Sequence, residues 1–548
     1  MKTKNKQTLS WLNKHSKKYY PYIIINCVVS TVVSLSFVFL ALISKQIIDI
    51  AAGVTNGDIV AKCILLFAII AAQIILNIVN SNLLVRAEYK LDIHFKSHLF
   101  NVILSRKYSE ISHYHSGDLL NRLSSDISVV VNGVATIIPN AVALISKLIA
   151  SGVALYLIAD KMVFVILAVG IAVPLIGRLL SSKYKYLHKL AQQADGTVKS
   201  YMQEAFENVA VIKTFPSDVP VKAKLDENLQ NSFLVKLKRF TLHIVTHAGL
   251  YSLFTFGYYA LLVWGAFNLG NGISYGTLVA FLEIAAQLRA PMQQISGILP
   301  QYYSTIASAE RLIELENIQD EPKRDSDDST ATFDSLVCEN LTFAYDNDKG
   351  NIIENTSLTI NRGTITTIMG ASGSGKSTLF KLILGLLEPN DGRILINGKD
   401  IADGLNRRLF AYVPQGNMIL SGTIKENLTL CREDISEEEI IRATKTAEIY
   451  DFISGLPEGF DTVIGERGVV ISEGQVQRLS IARALVCDSP VLLLDESTSA
   501  LDEATEEALL TNIKQLKDKT VIFITHRNRC LDICDKVLRF KDKQFIEE

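Results

Sequence analysis

The chain is poor in the features that would mark a redox, zinc or secreted protein. Its seven cysteines (Cys27, Cys63, Cys338, Cys431, Cys487, Cys530, Cys534) include no Cys-x-x-Cys pair and no metal-ligand spacing, so they point to neither a dithiol site nor a zinc site. Cys530 and Cys534 stand four apart, on one face of an expected helix. Free, reduced thiols in a cytosolic setting are the expectation for all seven. The first apolar run is not expected to act as a cleavable signal peptide. It is too long for a signal-peptide h-region, and no small-residue cleavage site comes after it before Lys45 and Asp49. That run is preceded by lysines but no arginine, which argues against a mitochondrial transit peptide. Net charge is almost absent, with 55 Lys+Arg against 57 Asp+Glu in 548 residues. A chain of that length exceeds one hydrophobic core and implies several domains.

The balanced charge conceals two unlike parts. Through Glu314 there are 29 basic and 17 acidic residues, a net of +12; the remainder holds 26 and 40, a net of −14. The first part is basic and strongly apolar, and the second has ordinary soluble composition. That asymmetry fits a membrane region followed by a cytosolic domain.

Six apolar segments, at roughly 20–47, 59–85, 129–159, 161–181, 241–268 and 274–303, each reach the ~20 helical residues that a bilayer requires. Lys2, Lys4, Lys6, Lys14, Lys17 and Lys18 precede the first. Arg86, Lys90, Lys96, Arg106, Lys107 and Arg122 separate the second and third, and a further basic group from Lys183 to Arg239 separates the fourth and fifth. The loops on the other side are short and carry almost no positive charge, so both termini are expected to be cytoplasmic. Long inside loops with short outside ones suggest helices that continue into the cytoplasm before turning. Asn77, Asn80, Glu283, Gln287 and Arg289 are polar residues at membrane depth. They read either as a translocation pathway for polar cargo or as interhelical contacts, including a Glu283–Arg289 pair.

Residues 316–333 are polar and charged, a linker by composition. The expected domains are therefore 1–315, the linker 316–333, and 334–548. The last part alternates short apolar strands with helical runs, an α/β core with a β-rich start and a helical insertion. Within it, Gly370-Ala371-Ser372-Gly373-Ser374-Gly375-Lys376-Ser377 comes after an apolar strand and opens a helix. That context marks a phosphate loop, in which glycines turn backbone N–H groups toward phosphate oxygens and the helix N-terminus adds its dipole. Lys376 is expected at the β- and γ-phosphates and Ser377 on Mg²⁺. The strand Val491-Leu492-Leu493-Leu494 ends in Asp495, a candidate Mg²⁺ ligand, and Glu496, a candidate general base for the attacking water.

Between these motifs stands Ile471-Ser472-Glu473-Gly474-Gln475. With it the chain resembles the ATP-binding cassette superfamily, in its exporter-type half-transporter form, over nearly its whole length. The resemblance implies a polytopic membrane domain of six transmembrane helices and an α/β P-loop ATPase domain with a helical signature subdomain. It further implies Tyr345 as the aromatic on adenine, Gln415 as the glutamine sensing Mg²⁺ and γ-phosphate, and His526 as the switch histidine. Thr378 completes the ATP-binding set of the phosphate loop. Ser472, Gly474 and Gln475 would meet the γ-phosphate held by a second subunit, and Ser499-Ala500-Leu501-Asp502 would contact that subunit. Tyr108 to Asp118 and Tyr201 to Phe215 resemble transverse coupling helices, and Gly465-Glu466-Arg467-Gly468 resembles the loop that touches them. Ile471, Glu473 and Val476 depart from the usual signature. A carboxylate near the γ-phosphate would weaken that site by roughly 1 kcal/mol if solvated, although an acid in a helix's first turn is locally favourable.

By the same resemblance, the expected activity is ATP-hydrolysis-driven export by a dimer with alternating access, in a bacterial plasma membrane, with ATP and Mg²⁺ as cofactors. The partners are a second half-transporter, identical or different, the lipid bilayer and an unidentified substrate; no nucleic acid is implied. An ATP-gated channel or a regulatory subunit is the alternative, against which the intact Glu496 and His526 stand. Six spans exclude a soluble cassette protein acting on ribosomes or DNA. Importers generally place the two domains on separate chains. No domain precedes the first span, so peptide cleavage during export is not expected, and lipids, peptides and drugs remain open as cargo.

Overall fold

The computed structural model describes residues 2–158, 183, 186–187, 189–215, 218–269, 273–321, 332–346, 350–371, 373–403, 406–416, 419–430, 432, 434–465 and 468–548. The fourth expected span, most of the linker, Ser372, Cys431, Glu466, Arg467 and the side chain of Arg289 lie outside the described residues. The chain divides into two compact units: residues 1–104 with 114–318, and residues 105–113 with 319–548.

The first unit is helical. Ile59–Ser105 runs for 47 residues, Asp218–Phe267 for 50 and Tyr275–Glu316 for 42. At 1.5 Å per residue these helices are ~60–75 Å long, about twice the ~30 Å of a bilayer's hydrocarbon, as the long inside loops suggested. Four described stretches are long and apolar enough to cross a membrane: Lys6–Ala51, Ile59–Ser105, Ser116–Ala154 and Asp218–Phe267. They contain the first and second expected spans and most of the third and fifth. The sixth lies in Tyr275–Glu316, which is not among the four and carries Glu283 and Gln287 in its apolar run.

Three of the polar residues at depth act between helices, and one of them, Glu283, accepts from Ser44 Oγ at 3.5 Å through Oε1. Asn80 accepts from Ser30 Oγ through its side chain at 3.1 Å and from Asn26 Nδ2 through its carbonyl at 3.2 Å. Gln287 Nε2 donates to the Phe37 carbonyl at 3.2 Å. Near the basic loops, buried Asp126 receives Ser308 Oγ at 2.9 Å and Arg311 Nε at 2.8 Å. Arg122 donates to the Arg311 carbonyl at 2.7 Å and reaches Asp118 and Glu314.

The second unit is α/β. Strands β1 (Ser335–Phe343), β2 (Ile353–Asn361), β4 (Asp391–Ile396) and β5 (Lys399–Asp400) form an antiparallel sheet in the order β2-β1-β4-β5. A six-stranded sheet runs in the order β12-β11-β3-β10-β9-β6. It comprises β3 (Ile365–Met369), β6 (Phe410–Val413), β9 (Val491–Asp495), β10 (Thr520–Ile524), β11 (Lys536–Lys541) and β12 (Gln544–Glu547), with only β12 antiparallel. The short β7 (Gly422–Thr423) and β8 (Val463–Ile464) pair separately.

Every residue of β9 and β10 is buried, as expected of parallel strands covered on both faces. Alternation then sorts their side chains. Val491, Leu493, Ile522 and Ile524 join one apolar cluster with Leu379 and Phe380 of helix Lys376–Ile383. Leu492, Leu494, Val521 and Phe523 join another with Leu479 and Ala482 of helix Glu473–Val486 and Leu509 of helix Glu503–Lys514. Asp495, next in register, therefore emerges on the face that the Lys376 helix covers.

Candidate nucleotide site

The parallel register brings four motifs to one edge. Ile524 pairs with Asp495 on one side and Ile368 on the other, and Val413 pairs with Leu494. The loops leaving β3, β6, β9 and β10 therefore emerge side by side, at the carboxyl ends where open α/β sheets bind ligands. They carry the phosphate loop, Gln415, Asp495 with Glu496, and His526. Tyr345, Gly373, Ser374, Gly375, Lys376, Ser377, Thr378, Gln415 and Glu496 line one open cleft together with Ile352.

Gly375 shows why the phosphate loop needs glycine. Its φ is +119°, and a Cβ there would stand 2.5 Å from Ile352 Cγ2. Lys376 is buried, and its ammonium donates to the carbonyls of Gly370 and Ala371 at 2.9 and 2.8 Å. His526 Nε2 lies 3.2 Å from the same ammonium and 3.4 Å from Glu496 Oε1. Nε2 can accept from Lys376 or donate to Glu496, not both, since one ring nitrogen carries one proton or one lone pair. Gln415 Nε2 donates to Glu496 Oε2 at 2.8 Å. Glu496 itself sits at φ +50° with its N–H bonded to the Ile524 carbonyl at 2.8 Å. A left-handed glutamate costs energy and persists only where its surroundings impose it.

Asp495 is fully buried. Tyr412 Oη donates to its Oδ2 at 3.4 Å, while Oδ1 has no hydrogen-bond partner among the described residues. Burial pushes its carboxyl above the usual range, a hydrogen bond from Ser377 opposes that shift, and Glu496 reinforces it. Burial also lowers the Lys376 ammonium, against the pull of Glu496 and Asp495. A buried, unpaired carboxylate oxygen beside a serine hydroxyl is the oxygen donor set that Mg²⁺ takes, so the residues present fit that ion. Tyr345 is about half exposed, packs edge-on against Phe343 at 5.0 Å and lies 3.3 Å from Thr378 Oγ1.

The signature stands apart from the cleft, whose lining includes none of Ser472, Gly474 and Gln475. Ser472 caps helix Glu473–Val486. Its Oγ accepts from Gln475 N–H at 3.3 Å, and Gln475 Oε1 accepts from Ser472 N–H at 2.8 Å, a reciprocal cap. Glu473 is exposed in the first turn, where the helix dipole favours an acid. A Cβ on Gly474 would stand 2.9 Å from the Ala500 carbonyl, so only glycine lets the helix approach Ser499–Asp502 this closely.

Three supporting residues were not singled out from the sequence. Gln477 Nε2 donates to Ser499 Oγ at 2.9 Å, and its Oε1 accepts from Ala500 N–H at 3.0 Å. Arg527 donates to the carbonyls of Leu501 and Ser499 at 3.0 and 2.7 Å and to buried Glu506 at 2.7 Å. Signature, dimer-contact loop and histidine loop thus form one network. Asp502 caps the next helix by accepting from Thr505 N–H at 3.0 Å. The order of motifs along the chain was the only sequence signal available for Gln477 and Arg527, and none marked Glu506.

Of the two transverse segments, Ser105–His113 packs within the second unit. Tyr108–Ile111 is helical, Lys107 pairs with Glu388 at 2.8 Å, and Lys107 N–H donates to the Gln319 carbonyl at 3.0 Å. The rest of the expected first segment includes helix Ser116–Asn121 of the other unit. In the second segment, Phe206, Val211 and Phe215 are exposed.

Comparison with known proteins agrees with this architecture. Residues 23–292 match the family model of the ABC transporter transmembrane region, and residues 353–499 match that of the ABC transporter. The uncharacterized ABC transporter ATP-binding protein YfiB of Bacillus subtilis is 31% identical over 82% of this chain and 79% of its own. The ATP-dependent lipid A-core flippase of Pseudomonas fluorescens is 29% identical over 82% of this chain and 76% of its own. The mitochondrial iron-sulfur clusters transporter ATM1 of Saccharomyces cerevisiae is 33% identical over 65% of this chain and 53% of its own, and that of Kluyveromyces lactis aligns over 51% of its own. The chain thus spans about half the length of these two yeast relatives. A bacterial Atm1-family ABC exporter solved with ATP bound shares the fold at a TM-score of 0.83, with 22% identity, over 97% of this chain and 95% of that one. The chain belongs to the ABC transporter family, carrying the transmembrane region and the ATP-binding cassette on one polypeptide.

Proposed function

We propose that this chain is one half of an ATP-driven exporter, that its own cleft hydrolyses ATP, and that a second copy or a related subunit completes each site. The observation that carries the reading is the convergence of Gln415, Glu496 and His526 on one point beside the phosphate loop. Glu496 is the general base, held at both carboxylate oxygens and turned out of the sheet by its left-handed backbone. Gln415 orients that carboxylate, and His526 passes between Lys376 and Glu496 as the charge in the cleft changes. Mg²⁺, held by Ser377 and Asp495 with Gln415 nearby, would neutralise charge on the β- and γ-phosphates. Tyr345 supplies an aromatic face for adenine.

The second subunit is supported by the position of the signature. Ser472, Gly474 and Gln475 open a helix N-terminus suited to an anion but do not line this chain's own cleft. A γ-phosphate from another copy meets that need, with Ser499–Asp502 beside it. Closing two cassettes would then drive the membrane helices from inward- to outward-facing, through Tyr108–Asp118 and through Tyr201–Phe215 with its exposed Phe206, Val211 and Phe215. The domain limits 1–315, 316–333 and 334–548 track the composition. The basic loops support cytoplasmic termini, and the similarity to Bacillus subtilis YfiB and the Pseudomonas fluorescens flippase supports a bacterial plasma membrane.

Glu496→Gln in nanodisc-embedded protein is expected to lower steady-state ATPase by at least 10²-fold, a typical general-base contribution, while ATP still binds. Turnover near wild type removes Glu496 from the assigned role. ATP hydrolysis that no transported compound stimulates favours the channel or regulatory reading. Lipids, peptides and drugs are the compounds to screen.

A further inference from the structure

A group of nitrogen and oxygen donors lies in the first unit, in a place that nucleotide chemistry does not use. Three elements meet there: helix Lys2–Ser16, the later half of Ile59–Ser105 and the end of Tyr275–Glu316. Trp11, Leu12, Phe95, Leu99, Ala309 and Leu312 pack them together in one apolar cluster. Against it, His15 Nε2 and His98 Nε2 lie 3.5 and 2.7 Å from Glu316 Oε1, and all three donor atoms fall within 4.8 Å of one another. Trp11 Nε1 donates to the other carboxylate oxygen, Oε2, at 2.7 Å, which orients the group so that Oε1 faces both imidazoles.

His15 supplies the second observation. Its side chain is only 8% exposed, and Nε2 has no hydrogen-bond partner among the described residues. A buried polar atom left unsatisfied is costly and calls for an explanation.

We propose that His15, His98 and Glu316 bind one divalent transition metal of the zinc class, through Nε2, Nε2 and Oε1, with water as the fourth ligand. Two imidazoles and a carboxylate suit Zn²⁺, whereas Ca²⁺ and Mg²⁺ take oxygen donors. A tetrahedral ion with bonds of ~2.0–2.1 Å holds its ligands ~3.4 Å apart, and the two distances to Glu316 bracket that value. The ion replaces the proton now shared between His98 Nε2 and Glu316 Oε1, releases it to solvent, and supplies the partner that His15 lacks. Trp11 acts from outside the ligand set, as such carboxylate partners do. His98 is 34% exposed, which gives the ion a way in. When filled, the site clamps the N-terminal helix to the last turn of Tyr275–Glu316 and links the membrane unit to zinc supply.

The test uses the full chain in nanodiscs, purified with a tag free of histidine and stripped with a chelator. Titration with Zn²⁺ alone, read by elemental analysis after dialysis, should retain one equivalent per chain. Co²⁺ should give the visible absorption of a four-coordinate site. His98→Ala should lose that equivalent, Trp11→Phe should weaken it by about 10-fold, and His526→Ala should keep it. Because a variant can misfold, the wild type carries its own control: Zn²⁺ should block diethyl pyrocarbonate modification of His98, read by mass spectrometry. Absence of stoichiometric zinc, zinc that survives His98→Ala, or zinc that leaves His98 unprotected overturns the proposal.

Discussion

Asp495 is where stability and function should pull in opposite directions. It is 1% exposed, its Oδ1 has no hydrogen-bond partner among the described residues, and burial raises its pKa. An unsatisfied buried polar group costs about 1–3 kcal/mol, and more when it is charged. Asp495→Asn keeps the shape and the acceptor that Tyr412 uses and exchanges the unpaired charged oxygen for an unpaired neutral amide nitrogen, so what it removes is the buried charge. The nucleotide-free sheet should therefore gain about 1–2 kcal/mol, a factor of roughly 5–30 in its opening equilibrium. Amide exchange of the β9 and β10 peptides measures this directly, because it reports local opening of this sheet and not of the membrane unit.

The pH dependence carries a sign. The folded pKa of Asp495 is raised, so between the unfolded value of about 3.9 and the higher folded value the unfolded chain binds fewer protons. Wild-type stability then falls as pH rises through that window and stays reduced above it. The advantage of the Asn variant should be larger at pH 7 than near pH 4, after correction for intrinsic exchange. ATPase activity should be lost, and Mg²⁺ with a nucleotide should protect the wild type more than the variant. Equal or faster exchange in Asp495→Asn at pH 7, or a gain that persists unchanged at pH 4, refutes the reasoning.

Gly474→Ala places a Cβ 2.9 Å from the Ala500 carbonyl; ATPase should fall by at least 10-fold while photo-crosslinked ATP on Tyr345 and Lys376 stays at the wild-type level. Gln477→Ala removes two hydrogen bonds to Ser499 and Ala500, worth about 1–3 kcal/mol together, and should lower kcat several-fold with little change in KM for ATP. Arg527→Met strands the carboxylate of Glu506, whose side chain is 2% exposed. Exchange in β10 should accelerate by the equivalent of about 3–5 kcal/mol, and Arg527→Met with Glu506→Gln should recover part of that loss.

Residues that act through their own chemistry were legible in the sequence because the chemistry restricts both their type and their distance along the chain. A phosphate loop must lie between a strand and a helix, and Asp495 and Glu496 must end another strand. Parallel register then leaves little freedom, since Ile524 pairs with both Asp495 and Ile368 and so draws His526 to the same edge. Gln477, Arg527 and Glu506 are different. Each is a common surface residue type on a helix or loop, and each acquires a role only because tertiary packing sets the signature helix against Ser499–Asp502. The same holds for the polar residues at membrane depth, where sequence left pathway and interhelical contact open, and only the bonds from Asn26 and Ser30 identify Asn80 as a contact between helices.

The His15–His98–Glu316 group carries this reasoning furthest. Its members come from three elements far apart in the chain, so no spacing rule finds them, and the near absence of cysteine motifs points away from metal chemistry altogether. Ligand spacing in sequence exists only where one short segment folds around the ion. A site assembled by helix packing needs no such pattern; it needs an apolar cluster to hold the helices in place and a buried donor left without a partner. Trp11 serves the first of these needs twice over, packing into the cluster while it orients the Glu316 carboxylate, and His15 Nε2 is the donor. An unpaired buried nitrogen is therefore a better guide to such a site than any motif, because the cost of leaving it unpaired has to be offset by something that binds there.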